Sequence, residues 1–511
     1  MVRLEGTTGV RAARREFLVE DRRENIKRRA KIVATIGPAC SSEEMIQSLL
    51  GAGVDAFRLN FSHGTHEQHR CLIESIRALA EKAGKFIPII ADIQGPKLRI
   101  GEVEGAIVLP TGADFTMTTE TVSGSARQVS TPFLDLPAEV LPGHRIMIND
   151  GLVELLVTAV DGPRVHTTVL HGGPISSRKG MNFPDSELSI PAITEKDRQD
   201  LRFAVGQQVE YIAASFIRRK SDIVELRAFI DSLGGVDISL IAKLEKAQAI
   251  DALEEIMEVS DGVMVARGDL GVELPPEAVP VVQKKILAVA SHWGRFAITA
   301  TQMLESMTTN SRPTRAEASD VANAIFDGSD AVMLSAETAS GAYPVESVAM
   351  MARIVVAAEE NPHLRVQAER APFHQSFETD EFTDALAGAT NYAAEEIAAK
   401  YIVVFTQTGF TARLMSKFRP RAPVVALTQK PQIARRMNLL WGVEPFVLAD
   451  VGRYHEQNVE HVERFLLEQG MVVAGDRIVI LMGSPLFQRA QTNLLRVHRV
   501  GSLGDHRGPD D

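Results

Sequence analysis

The sequence predicts an α/β chain: a (β/α)8 TIM barrel, interrupted after its third strand by a small all-β barrel lid and followed by an open-sheet α/β domain. Three observations carry this. Eight apolar runs, over 31–37, 56–62, 86–93, 211–217, 238–245, 262–267, 296–301 and 331–338, are each followed by a segment of helical period. Residues 99–172, by contrast, hold only short alternating runs broken by Gly and Pro, as hairpins require. Polar residues fall late in the barrel strands, the end at which barrel active sites form.

The chain is 511 residues long, too long for one core. The expected division is a leader over 1–26, a catalytic barrel over 27–98 and 173–360, the lid over 99–172 and a C-terminal domain over 380–502. The charged, His- and Pro-bearing stretch 361–379 reads as a linker, and 504–511 as a disordered tail. A net charge of -11 disfavours general nucleic-acid affinity. Two cysteines, Cys40 and Cys71, give no disulfide framework and fit a reducing, cytoplasmic setting. No apolar run approaches the roughly 20 residues that cross a bilayer. The first thirty residues carry nine Lys/Arg against five Asp/Glu, too acidic for a targeting presequence, and read as a solvated or docking leader.

Taken in order, 31–37 is an apolar strand closed by Gly-Pro, and Ser41 or Ser42 caps the helix that follows. The second strand places Arg58, Asn60 and Ser62 on one face, which suggests that it lines something; an exposed edge is the plain alternative. The third ends at Asp92, before Gln94-Gly-Pro-Lys97. Gly172-Gly-Pro and Arg178-Lys-Gly180 mark the return from the lid. Strand five ends Lys243-Leu-Glu245, with lysine and carboxylate on the same face. Strand six runs into Arg267-Gly-Asp269, so Glu245 and Asp269 reach the same end of neighbouring parallel strands. Beyond 380, strands over 401–408, 423–428, 443–448, 477–482 and 495–500 alternate mostly with helices, an open sheet.

Two carboxylates suit a hard divalent cation, and a lysine beside them suits a phosphoryl group, whose oxygens need charge rather than a base. A lone Lys-x-Glu is usually a salt bridge. Its weight here comes from Arg58, Asn60, Ser62, Asp92, Lys243, Glu245, Asp269 and Thr301 arriving at one rim. Gly268 permits close backbone approach to an anion, or simply a tight turn. Thr301 opens the next segment and reads equally as a plain N-cap.

Lys31-Ile-Val-Ala-Thr-Ile-Gly-Pro-Ala39, Arg58-Leu-Asn-Phe-Ser-His-Gly64, Ile241-Ala-Lys-Leu-Glu245 and Met264-Val-Ala-Arg-Gly-Asp-Leu-Gly271 resemble pyruvate kinase motifs. So do Ala300-Thr-Gln-Met-Leu-Glu-Ser-Met307 and Arg312-Pro-Thr-Arg-Ala-Glu317, and the resemblance runs in family order from about 27 to 500. It implies the last step of glycolysis, phosphoenolpyruvate + ADP → pyruvate + ATP, with Mg2+ or Mn2+ and commonly K+. By motif, Glu245 and Asp269 hold the divalent ion, Lys243 stabilises the phosphoryl transition state and the enolate, and Arg58 contacts the phosphoryl group. Gly268, Asp269 and Thr301 seat the substrate, Thr301 near the proton path. Arg99 and Lys179 reach the nucleotide phosphates on lid closure, with Asn60, Ser62 and His63 in the same nucleotide and cation region. The resemblance also implies a homotetramer.

Two departures stand out. Many family members have Thr after the aspartate of strand three and Glu after Gly-Pro, where this chain has Ile93 and Lys97. The family's K+ site matches Asn60, Ser62 and Asp92; a lysine at 97 supplies the charge that K+ otherwise brings, so K+ is expected not to be required. A surface lysine without that role is the alternative. In the C-terminal domain, Thr406-Gln-Thr408-Gly409-Phe-Thr411 reads as a phosphate nest resembling the family's effector loop, yet the loop over 483–492 lacks the glycine-rich form of members activated by fructose 1,6-bisphosphate. A sugar monophosphate effector, or none, is expected. Two rivals remain: another barrel enzyme of phosphoenolpyruvate or a keto acid, and a non-catalytic sensor of the same fold. The first would not need a lid, and the second is disfavoured by the presence of Lys243, Glu245 and Asp269.

Overall fold

The eight expected barrel strands form, as β1 (Lys31–Ile36), β2 (Ala56–Asn60), β3 (Ile89–Ile93), β4 (Tyr211–Ala214), β5 (Ser239–Leu244), β6 (Gly262–Ala266), β7 (Phe296–Ala300) and β8 (Ala331–Leu334). All pair in parallel and close into a barrel, with β1 hydrogen-bonded to both β2 and β8. The structure, a computed structural model, describes residues 28–360, 381–448, 455–483 and 492–502. The expected leader, linker and tail, and most of the loop after Gly483, lie outside the described residues.

Alternation along each strand sorts side chains between two environments. Ile32, Ala34, Phe57, Leu59, Ile89 and Ala91 pack outward against the helices. Val33, Ala56, Ile90, Tyr211, Ala213, Ile241, Met264 and Ile298 fill the barrel interior. Two-residue periodicity continues that interior row into Thr35, Arg58, Asn60, Asp92, Ser215, Lys243 and Glu245 at the C-terminal rim. Apolar side chains fill the middle of the barrel, and polar groups gather at its C-terminal rim. The helix after β1 is capped by Ser42, and the one after β2 opens on a capping box of Thr65 and Gln68.

Several strands are shorter than expected, β2 and β4 each for a local reason. β2 stops at Asn60, whose side-chain oxygen accepts from the Ser62 N–H and turns the chain. β4 stops at Ala214 because Phe216 takes φ +59°, which cannot continue a strand.

The insertion folds around its own core, which includes Phe115, Met117, Leu155, Val157 and Phe183. The expected small barrel is open by hydrogen bonding: a six-stranded sheet running from Met181–Asn182 to Gln128–Ser130, with a separate two-stranded ribbon. It also holds a short helix, Leu136–Glu139, started by Pro137 rather than by any apolar period. The chain returns to the barrel later than residue 173. Gly173–Ile175 pairs with Ile107–Leu109, and Met181–Asn182 with Arg145–Ile148, so this stretch belongs to the lid sheets.

The C-terminal sheet runs Val443–Val447, Val424–Thr428, Tyr401–Phe405, Arg477–Gly483, Thr492–Arg499, parallel except for its last strand. It docks under the barrel. Arg435 Nε reaches the fully buried Glu210 carboxylate at 2.6 Å, and the Tyr211 hydroxyl donates to Arg436 O at 2.6 Å. No helix among the described residues is long and apolar enough to cross a membrane.

Candidate active site

The centre of the rim is the Lys243 ammonium, which is 11 % exposed. It lies 2.8 Å from Glu245 Oε1, 3.3 Å from Asp92 Oδ1 and 2.7 Å from Ser215 Oγ. Asp92 in turn takes Arg58 Nε on its other oxygen at 2.6 Å, and Arg58 Nη1 donates to Thr35 Oγ1 at 3.1 Å. Five strands thus contribute to one network of two cations, two carboxylates and two hydroxyls.

The electrostatics follow from burial against pairing. Burial alone would lower the Lys243 pKa, but Asp92 and Glu245 outweigh it and hold the ammonium protonated well above its ordinary value. Burial would raise Asp92, yet Arg58 and Lys243 prevail and keep it below the usual carboxylate range. Burial pushes the Glu245 carboxyl up to about 7, opposed by Lys243 and aided by the negative charge of Asp269. Its second oxygen accepts from the Phe216 N–H at 2.7 Å.

Asp269 sits in the first turn of the helix Arg267–Glu273, directly after β6. That turn is fixed by Arg267, which pairs with Asp320 and donates to Thr301 O, each at 2.7 Å. Thr301 has φ +67°, rare for a β-branched residue, and its hydroxyl accepts from the Gly268 N–H at 2.8 Å while donating to Ala300 O at 2.6 Å. Thr301 is therefore not an α-helical N-cap; its hydroxyl binds the facing β6 turn. This is local strain stored at a site.

Asn60, Ser62 and His63 form one turn beside Asp92: Asn60 pairs in register with Asp92, and His63 N–H donates to Asn60 O at 3.2 Å. His69 holds the His63 carbonyl at 2.9 Å and stacks on Phe61 with ring centroids 4.4 Å apart. Arg99 and Lys179 meet at the base of the lid, where Arg99 bridges to Gly180 and Ile100 N–H donates to Lys179 O at 3.0 Å. Lys97 is not a partner of Asp92; its stem passes Gly180, 3.2 Å from where a Cβ would stand. In the C-terminal domain, Thr406 Oγ1 accepts from the Gly409 N–H at 2.9 Å and Thr411 Oγ1 meets Thr492 Oγ1 at 3.0 Å, while Arg436 donates to Thr408 O.

Comparison with known proteins decides the family. A model described as the pyruvate kinase barrel domain matches residues 27–348, and one described as the pyruvate kinase alpha/beta domain matches 384–498. The chain belongs to the pyruvate kinase family. A pyruvate kinase of Sporosarcina psychrophila is 42% identical over 481 residues, covering 93% of this chain and 81% of that one. That of Geobacillus stearothermophilus is 42% identical over 482 residues, covering 94% and 81%. A crystal structure of a Cryptosporidium parvum pyruvate kinase superposes with a TM-score of 0.87 at 34% identity, covering 94% of this chain and 97% of that one. The chain is accordingly a phosphotransferase with pyruvate kinase activity, an activity that runs on metal ions across the family.

Sequence reasoning passed over Ser215 and Thr35, which join Lys243 and Arg58 into the network. Ser215 was findable: it is the only hydroxyl in the apolar run 211–217 apart from the Tyr211 phenol, and it shares the inward face of β4. It missed a second pair as well. Lys246 Nζ lies 2.5 Å from Glu273 Oε1, which also accepts from Asn182 Nδ2 of the lid at 2.8 Å.

Proposed function

We propose that this rim carries phosphoryl transfer from phosphoenolpyruvate to ADP, with Lys243 as its central charge. The observation behind this is the buried ammonium kept protonated between Asp92 and Glu245, a fixed positive group at the floor of a lidded cleft. A lysine held in that state is no base; it stabilises negative charge on the transferring group and on the enolate oxygen left behind. Arg58 adds charge to the phosphoryl oxygens. Gly268 and Thr301 seat the substrate carboxylate, which exchanges with the Thr301 hydroxyl at the Gly268 N–H and frees that hydroxyl toward the proton path.

Glu245 and Asp269 fit a divalent ion. Burial and mutual repulsion raise the Glu245 pKa, a penalty that a cation relieves. Among the described residues no third His, Cys, Asp or Glu joins them, so the remaining ligands are substrate oxygens and water, as suits Mg2+ or Mn2+. Such an ion, when bound, supplies further charge to the substrate's carboxylate and phosphoryl oxygens.

Arg99 and Lys179, with Asn60, Ser62 and His63, take the nucleotide as the lid closes and excludes water from the phosphoryl group. Both Asp92 oxygens already face cations, and Lys97 brings another charge to the cleft, so K+ is not required. Thr406, Thr408, Gly409 and Thr411 form the site of a sugar-phosphate effector, in a cytoplasmic homotetramer. A lactate-dehydrogenase-coupled assay with phosphoenolpyruvate, ADP and Mg2+ tests the reading, and absence of pyruvate formation refutes it. A thermal-shift panel of sugar phosphates tests the effector, and a flat response removes it.

A further inference from the structure

One concave space beside the site is not the site itself. It is a cavity of about 210 Å³ between the two strands that carry the lid and the barrel rim of β4 and β5. Leu98, Met181, Leu188, Ile190 and Phe216 give it an apolar body, and neither Lys243, Glu245, Asp269 nor Thr301 lines it.

Its charge is unbalanced. Lys97, Arg218, Arg219 and Lys246 face it, against Glu187 on its wall and the partner carboxylates Asp222 and Glu273. Four cations against three carboxylates leave an excess of one positive charge. Arg218 and Arg219 share the single Asp222 carboxylate at 3.3 and 3.6 Å, and Lys97 has no ion-pair partner among the described residues. One acceptor is also unspent: the Gln248 amide donates to Ser186 O at 3.4 Å, but its Oε1 is buried without a hydrogen-bond partner.

We propose that this cavity is a second ligand site, beside the catalytic centre and sharing Lys97 with its cleft, for a small apolar monoanion bearing one hydroxyl, such as a hydroxylated aromatic carboxylate. The carboxylate takes the surplus positive charge, the ring fills the space against Phe216 and Leu188, and the hydroxyl donates to Gln248 Oε1. The space, about 210 Å³, admits a single ring. Occupancy is felt at the active site through two routes. The walls belong to both the lid strands and the barrel, so a ligand wedges the hinge; and Phe216, strained at φ +59°, holds Glu245 through its N–H.

The test uses 4-hydroxybenzoate as probe, with benzoate and 4-hydroxybenzamide as controls. Ligand-observed NMR, which needs no turnover, should show saturable binding in the order 4-hydroxybenzoate, benzoate, 4-hydroxybenzamide. The probe should lower kcat without competing with phosphoenolpyruvate. Arg219→Ala, a change at an exposed side chain outside the catalytic network, should leave uninhibited kcat unaltered and weaken the probe by about fivefold. Gln248→Met should abolish the preference for the hydroxylated acid. No binding, equal binding of the neutral amide, competition with phosphoenolpyruvate, or unchanged affinity in Arg219→Ala would each overturn the assignment.

Discussion

The Ser215 hydroxyl accepts a hydrogen bond from the Lys243 ammonium at 2.7 Å and donates one to Ile93 O at 2.8 Å. Strand β4 thereby fixes the lysine of strand β5 from the side. Without Ser215 the ammonium would swing between Asp92 and Glu245. Ser215→Ala should lower kcat by about fivefold to tenfold, the worth of one hydrogen bond to a charged group, with little change in KM for phosphoenolpyruvate. Steady-state kinetics checks this; a pure KM effect would place Ser215 in substrate binding instead.

The docking of the C-terminal domain offers a stability measurement. Arg435 is the close partner of Glu210, which is fully buried and has Arg77 only at 3.9 Å. Removing the near cation leaves a buried carboxylate held only by the Ile89 N–H at 2.9 Å and the more distant Arg77. Arg435→Ala should cost about 3 kcal/mol of stability, visible as a lowered denaturant midpoint.

Glu317 carries a pH dependence whose sign is fixed. Burial would raise its pKa, but donors from Ser306 and Thr314 outweigh it and hold it below the ordinary 4.5. A depressed carboxyl stabilises the fold above its unfolded pKa and loses that stabilisation as pH falls through the folded value. Glu317→Gln should therefore cost about 1 kcal/mol at neutral pH, and the gap from wild type should close below pH 4.5. A gap constant with pH would contradict the assignment.

Potassium dependence tests the role given to Lys97. In Tris buffer free of K+, activity should already stand near its plateau, and added KCl should leave kcat unchanged. A negligible rate that rises steeply with KCl would remove Lys97 from the account.

Much of the fold was legible because period-two alternation makes a strand's polar end visible: Arg58, Asn60, Asp92, Lys243 and Glu245 all sit where apolar runs turn polar. Parallel pairing then brings these ends together whatever the helices do between them. What the sequence hid depends on contacts without a local signature. Thr301 looks like a cap, and only the facing β6 turn shows that its hydroxyl is held by Gly268. The lid read as a small barrel because alternating hairpins do not reveal whether the first and last strands meet. The link from Asn182 through Glu273 to Lys246 joins three elements separated by up to 91 residues, beyond the reach of any spacing rule.

The most direct test of the account is Lys243→Met beside wild type in the lactate-dehydrogenase-coupled assay, similar in bulk and lacking only the charge. Wild type should form pyruvate from phosphoenolpyruvate and ADP. The variant should lose about 10²–10³ in kcat with KM for phosphoenolpyruvate little changed, the signature of an interaction made in the transition state. A variant that keeps its kcat and loses only substrate affinity would contradict Lys243 as the central charge.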